Sequence, residues 1–95
     1  MTLSDTTADF TVMPQAIDGL ETRGAGSEEL VYDPPSGRVH VLNATAARVL
    51  ARCDGTTTLA QVVGELVAAT QVDPARAERD IIRVCGDFRA KGLLR

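Results

Sequence analysis

The stretch from Asp73 to Leu94 constrains this chain more than any other. Asp73 followed by Pro74 reads as a helix start: the carboxylate caps free N–H groups, and the proline stands in the first turn, where its missing N–H costs nothing. Ala77, Ile81, Val84, Cys85 and Phe88 then recur at helical spacing, and Lys91-Gly92 supplies a basic last turn and a glycine stop. At about 100° per residue the five apolar side chains share one continuous face. Arg76, Asp80, Arg83 and Asp87 fall opposite them and alternate in sign. Ile82 stands at the margin of the apolar face with Gly86 one turn later, a pairing that predicts a shallow groove for another backbone. The rest of the chain has to supply the other wall.

Upstream, Thr58 with Gln61 forms a capping box, and Leu59, Val62, Val63, Leu66, Val67 and Thr70 make the cleanest amphipathic helix of the chain. Gly64 lies inside it at a cost of roughly 1 kcal/mol relative to Ala, for which close helix packing is one reason. Asn43 caps an earlier helix in which Ala46, Val49, Leu50 and Cys53 follow at i, i+3, i+4 and i+7, ended by Asp54-Gly55. Before it, Glu29–Tyr32 and Arg38–Leu42 are rich in β-branched and apolar residues and flank the loop Asp33-Pro34-Pro35-Ser36-Gly37, which predicts a hairpin. Alternation puts Val39 and Val41 on one face of the later strand and Arg38, His40 and Leu42 on the other, with Leu42 the candidate for the core. Ile17–Leu20 is expected as a marginal third strand, Arg23–Ser27 as a flexible turn, and Leu93-Leu94 as a short apolar strand or tail. Residues 1–14 are expected to be a flexible N-terminal tail, although Phe10 and Val12 alternate with polar neighbours, and 15–95 one domain. The fold class is α+β and winged helix-turn-helix-like: a three-stranded antiparallel sheet followed by three helices.

Composition narrows the function classes. With Phe10, Phe88 and Tyr32 as its aromatic residues and no Trp, the core must be built from aliphatic side chains. The formal charge of −3 disfavours nonspecific nucleic-acid binding, which rests largely on basic charge. Cys53 and Cys85 form no CxxC pair and have no nearby His, so they read as small buried residues of a reduced, cytoplasmic protein, with no metal site or cofactor indicated. No apolar run is long enough to span a bilayer and the first residues show no basic–apolar signal pattern, so a cytoplasmic location is expected. One His, no phosphate loop and no carboxylate pair with a reason to share a cleft leave no set of nucleophile, base and oxyanion donors, so enzymatic activity is not expected.

Leu30-Val31-Tyr32-Asp33, then Gly37, Val39-His40 and Leu42-Asn43 with Thr45-Ala46, resemble the strand-to-helix signature of PqqD-like proteins. Asp54-Gly55-Thr56 with Leu59 and Val62 is similar to the start of that family's second helix. Asp80-Ile81, Phe88 and Lys91-Gly92-Leu93-Leu94 resemble its closing helix. The resemblance runs from about Ile17 to Leu94 and lies in the order and spacing of these pieces. It implies a non-catalytic peptide chaperone, a recognition element that binds the leader segment of a ribosomally made precursor peptide and delivers it to a modifying enzyme, a radical SAM enzyme or another maturase. It further implies that the leader adds as a strand beside Arg38–Leu42 and lies against the Ile81–Arg89 part of the last helix. The chain departs from the commoner family pattern at Val84-Cys85-Gly86.

Physical chemistry gives the same elements a reason. A free strand edge offers N–H and C=O groups to any extended peptide, and selectivity must come from side chains. Arg38, Val39, His40, Val41 and Leu42 are the expected edge. Ile81, Ile82 and Cys85 are expected to form an apolar pocket, Gly86 to allow close approach, and Arg83 and Arg89 to pair with acidic leader residues. The competing reading of the arginines and aspartates is a solvated ion-pair ladder worth only ~0.2–0.5 kcal/mol per pair, and that of Ile81 is core. The same free edge can pair with a second copy as a homodimer. A winged-helix DNA-binding regulator is the alternative function, weakened by the lack of a basic recognition face on the last helix.

Overall fold

The computed structural model describes residues 9–95. Residues 1–8 of the expected tail lie outside the described residues. The elements run β1 (Glu21–Ala25), β2 (Glu28–Asp33), β3 (Arg38–Leu42), α1 (Ala44–Ala51), α2 (Leu59–Thr70) and α3 (Pro74–Ala90). The strands form one antiparallel sheet in the order β1-β2-β3, followed by the three helices, as the sequence pattern predicts.

The third strand lies at Glu21–Ala25, not at Ile17–Leu20, and Arg23 to Ala25 belong to it. Every residue of β1 is exposed, so no buried face imposes the alternation by which a strand is recognised. Gly26-Ser27 is the whole turn to β2, closed by the Ala25–Glu28 pair, and the positive φ of Gly26 (67°) is what a two-residue hairpin demands. Leu20 instead leaves the strand and packs against the core.

All three helix starts are capped as their sequences predict. Asn43 accepts from Ala46 N–H at 2.8 Å, Thr58 and Gln61 form a reciprocal capping box, and the Asp73 carboxylate accepts from Arg76 N–H. Gly92, with φ 73°, ends the α3 turn so that Leu93 N–H donates to Phe88 O at 2.9 Å and the Leu93 side chain enters the core. That core is aliphatic around one ring: Phe88, Ile81, Leu93, Val31, Val49 and Cys85 are fully buried. Space around Gly64 is open, so close helix packing does not explain this glycine.

Phe10 to Ile17 are hydrogen-bonded along the helical side of the domain. Phe10 O and Val12 O accept from Ala60 and Leu59 N–H at the start of α2, and Pro14 O accepts from Gly55 N–H. Ala16 N–H donates to Cys53 O, while Ile17 N–H donates to Leu93 O and Arg95 N–H to Gln15 O. This segment therefore closes over the α1–α2 turn and the chain end, away from β3.

Candidate functional site

β3 pairs with β2 alone among the described residues. Its other margin therefore presents alternate N–H and C=O groups without strand partners. Inner side chains of the hairpin face the helices: Val31 and Leu42 are buried and His40 is half-buried. Val39 and Val41, on the outer face, are 57 % and 54 % exposed. The alternation in β3 thus matches its sequence. His40 Nε2 is buried with no hydrogen-bond partner among the described residues, as is Asp33 Oδ1, although Asp33 Oδ2 accepts from Ser36 Oγ at 2.8 Å.

A groove of about 330 Å³ separates the end of β3 from α3. Val41, Leu42, Ala46 and Val84 line its apolar part, with Asn43 beside them, and Arg83, Asp87 and Lys91 line the α3 side. These last three stand one turn apart on a single ridge, because residues at i, i+4 and i+8 stack along a helix. Lys91 Nζ lies 3.2 Å from Asp87, and Arg83 lies 3.4 Å from Asp80, which Arg76 also approaches at 3.8 Å. The expected ion-pair ladder is therefore present for Arg76, Asp80 and Arg83, whereas Asp87 pairs with Lys91, and the Arg83–Asp87–Lys91 ridge is also a wall of the groove.

The structure divides the expected site residues. Arg38 to Leu42 form the open strand, and Arg83 lines the groove. Ile81 and Cys85 are 0 % and 1 % exposed and belong to the core, so neither offers a pocket surface. Ile82 and Arg89 lie about 100° or more around α3 from the Arg83–Asp87–Lys91 ridge, on the flank turned away from β3, and Gly86 lies between that flank and the ridge on the side opposite the core. Ile82 is 43 % exposed there, a Cβ on Gly86 would meet open space, and the Arg89 charge acts on the two buried thiols. Ile82 is thus marginal to the apolar face as expected, but at the opposite margin from the groove. Val84, Asp87, Lys91, Asn43 and Ala46 are groove residues that sequence reasoning did not select. The i, i+4, i+8 spacing of Arg83, Asp87 and Lys91 marks them as one ridge, but which flank of α3 faces β3 depends on how the helix packs.

The remaining chemistry is quiet. Burial pushes the Cys53 thiol up to about 12, helped by Cys85 and Asp54, and Cys53 Sγ donates to Val49 O. Burial also raises Cys85. Both are protonated, inert thiols at neutral pH. No group of His, Cys, Asp or Glu among the described residues is arranged to hold a metal ion. No helix among them is long and apolar enough to cross a membrane.

The family of coenzyme PQQ synthesis protein D, PqqD, matches residues 28–94. That span begins at β2 and includes β3, the groove and all three helices. Among solved structures, the lasso peptide synthetase B1 complexed with the leader peptide is similar over 87 % of this chain and 98 % of its own, with a TM-score of 0.75 and 23 % identity. TbiB1 in complex with the TbiA(beta) leader peptide is similar over 84 % of this chain and 93 % of its own, with a TM-score of 0.73 and 20 % identity. At these identities the likeness establishes the shared fold. No curated protein matches the chain.

Proposed function

The chain belongs to the PqqD family, and from that premise we propose that it is a non-catalytic peptide chaperone that takes up the leader of a ribosomally made precursor as a fourth strand on β3. The observation that carries this reading is the open margin of β3 facing α3 across a groove that no described residue fills. Main-chain hydrogen bonds to that margin supply affinity for any extended segment, and the groove supplies choice among segments. The two structural relatives were solved with leader peptides, which supports the same use of the fold here.

A bound strand alternates its side chains between the two faces of the sheet. Those on the inner side enter the groove over Leu42, Ala46 and Val84 and meet Arg83 and Lys91 at its wall. Two cations and one carboxylate favour a leader with an acidic residue beside an apolar one. The loaded chaperone then presents the leader to a modifying enzyme, a radical SAM enzyme or another maturase, in the cytoplasm. The alternative as a DNA binder draws little support from α3, where the exposed arginines Arg76, Arg79, Arg83 and Arg89 are interspersed with Glu78, Asp80 and Asp87 and the first and third of them pair with Asp80.

Titration of the isotope-labelled protein with the leader of a precursor encoded beside it tests the proposal. Amide shifts are expected in Arg38–Leu42 and along Arg83–Lys91. Shifts confined to β1, or no shifts at saturating peptide, would overturn it.

A further inference from the structure

We propose that the strand taken up by β3 is also selected on its solvent-facing side, where the exposed sheet face requires apolar residues at the outward positions of the peptide. The inference rests on the strand-addition reading and extends it from the groove to the opposite face of the same bound segment.

The register defines two rows across the outer face, Glu21–Tyr32–Val39 and Arg23–Leu30–Val41. Each begins with a charged side chain on β1 and ends with an exposed valine on β3. Polarity thus falls toward the open margin, the reverse of what protects an edge strand from pairing. Tyr32, Val39 and Val41 are 40 %, 57 % and 54 % exposed, so the apolar end of both rows faces water in the free protein. A fourth strand lengthens both rows by one residue. The peptide residues opposite Val39 and Val41 point outward beside them at cross-strand spacing, and apolar residues there remove the valines from water. The occupant is the peptide strand itself, because only a segment in register with β3 continues both rows.

This arrangement gives the bound segment a definite pattern. The groove selects the inward residues, apolar over Leu42, Ala46 and Val84 and acidic beside Arg83 and Lys91, and the outer face adds a preference for apolar residues at the outward positions between them. A leader read in the groove alone would leave those outward positions unrestricted.

Parallel selection of displayed random octapeptides on the wild-type protein and on a Val39→Thr, Val41→Thr double variant separates the possibilities. Threonine keeps the β-branched shape and strand propensity and removes only apolarity. The wild type should enrich apolar residues at the outward positions and the variant should leave those positions unrestricted, and the wild-type peptides should bind the variant roughly 3- to 10-fold more weakly. Both sites are exposed, so the melting temperature of the variant serves as the control for folding. Identical enriched patterns with equal affinities, while Arg38–Leu42 amides still shift, would overturn the inference and leave strand addition standing. Peptides that bind without shifting β3, the absence of any enriched peptide, or a dimer of β3 edges that peptide does not dissociate would overturn both.

Discussion

The sheet has two margins without a neighbouring strand among the described residues, β1 and β3, and they are made of different material. β1 is Glu-Thr-Arg-Gly-Ala and exposed throughout, with two opposite charges and a glycine in five residues. β3 is Arg-Val-His-Val-Leu, charged only at the residue that leaves the hairpin turn. Charge and short length are how natural sheets discourage pairing at an edge, and a glycine weakens a strand further. β1 follows that practice and β3 departs from it. The surroundings differ in the same sense. The margin of β3 faces α3 across the groove over Leu42, Ala46 and Val84, whereas the hollow beside β1 is lined largely by the turn from Ala16 to Leu20 and the end of α1. Two edges of similar backbone thus carry unequal capacity to accept a strand, and the inequality lies in side chains.

The largest expected effect tests the two edges directly. Val41→Pro, which removes a backbone N–H and imposes a ring on the edge, should weaken leader binding by roughly 10- to 100-fold, the cost of one or two lost hydrogen bonds in the bound strand. Thr22→Pro, at an open-side position of β1, should leave affinity unchanged. Calorimetric titration of both variants, with far-UV circular dichroism to show that each retains its fold, makes the comparison. Equal losses in the two would mean that β3 has no privileged role.

The two flanks of α3 allow a second contrast with an effect about tenfold in size. Val84→Glu places a carboxylate in the apolar floor of the groove and should reduce affinity by that factor. Ile82→Glu, on the flank turned from β3, should change it by less than about twofold and should not lower the melting temperature. The reverse ranking would put the peptide on the other side of α3. Ile81→Ala is the stability reference. It empties a fully buried site and should cost about 2–5 kcal/mol in denaturant unfolding.

A smaller effect concerns the charges along the groove. Lys91 is partly exposed and already 3.2 Å from Asp87, so its attraction for an acidic leader residue is that of a screened surface pair, about 0.2–1 kcal/mol. Lys91→Ala should weaken binding of an acidic leader about twofold at low salt, and the difference should vanish in molar salt. A loss that survives high salt would show that the lysine stem packs on the peptide and that charge is not its contribution.

Much of this was legible in the residues, for reasons that also explain the misreadings. The capping residues Asn43, Thr58 and Asp73 act within four residues of themselves, so sequence alone locates the helix starts. The inner and outer faces of β3 follow from strict alternation. β1 escaped because an edge exposed on both faces has no hydrophobic period. The site was half visible for a different reason. Sequence periodicity divides α3 into buried and exposed faces, which gave the apolar stripe, but it does not say which margin of that stripe abuts β3. Ile82 and Gly86 were attractive because an apolar side chain beside a glycine suggests a docking surface. The packing of α3 against α1 and α2 instead turned the Arg83–Asp87–Lys91 ridge to the sheet. Ile81 and Cys85 show the related difficulty that a helix buries its best apolar residues too deeply for them to serve a ligand.

The mildest expected effect lies away from both margins, in the turn that joins α1 to α2, and it separates what holds the fold from what binds peptide. Asp54 accepts from the backbone N–H and the hydroxyl of Thr56 at 2.9 and 3.0 Å and from the N–H and hydroxyl of Thr57 at 3.0 and 3.1 Å. These donors hold its carboxyl at about 2, below its ordinary 3.8, the Thr56 contacts contributing most. A lowered carboxyl stabilises the fold while ionised. Its contribution is therefore complete above about pH 4 and disappears as the pH falls toward 2. The same turn carries Gly55, whose N–H donates to Pro14 O and so docks the N-terminal segment. Asp54→Asn should flatten the fall in melting temperature between pH 4 and pH 2 and should leave leader affinity at neutral pH untouched, because the turn contributes no residue to β3 or to the groove. If the substitution lowered affinity at neutral pH, the docked N-terminal segment would be part of the peptide site, and the contrast between a closed helical side and an open β3 would have to be redrawn.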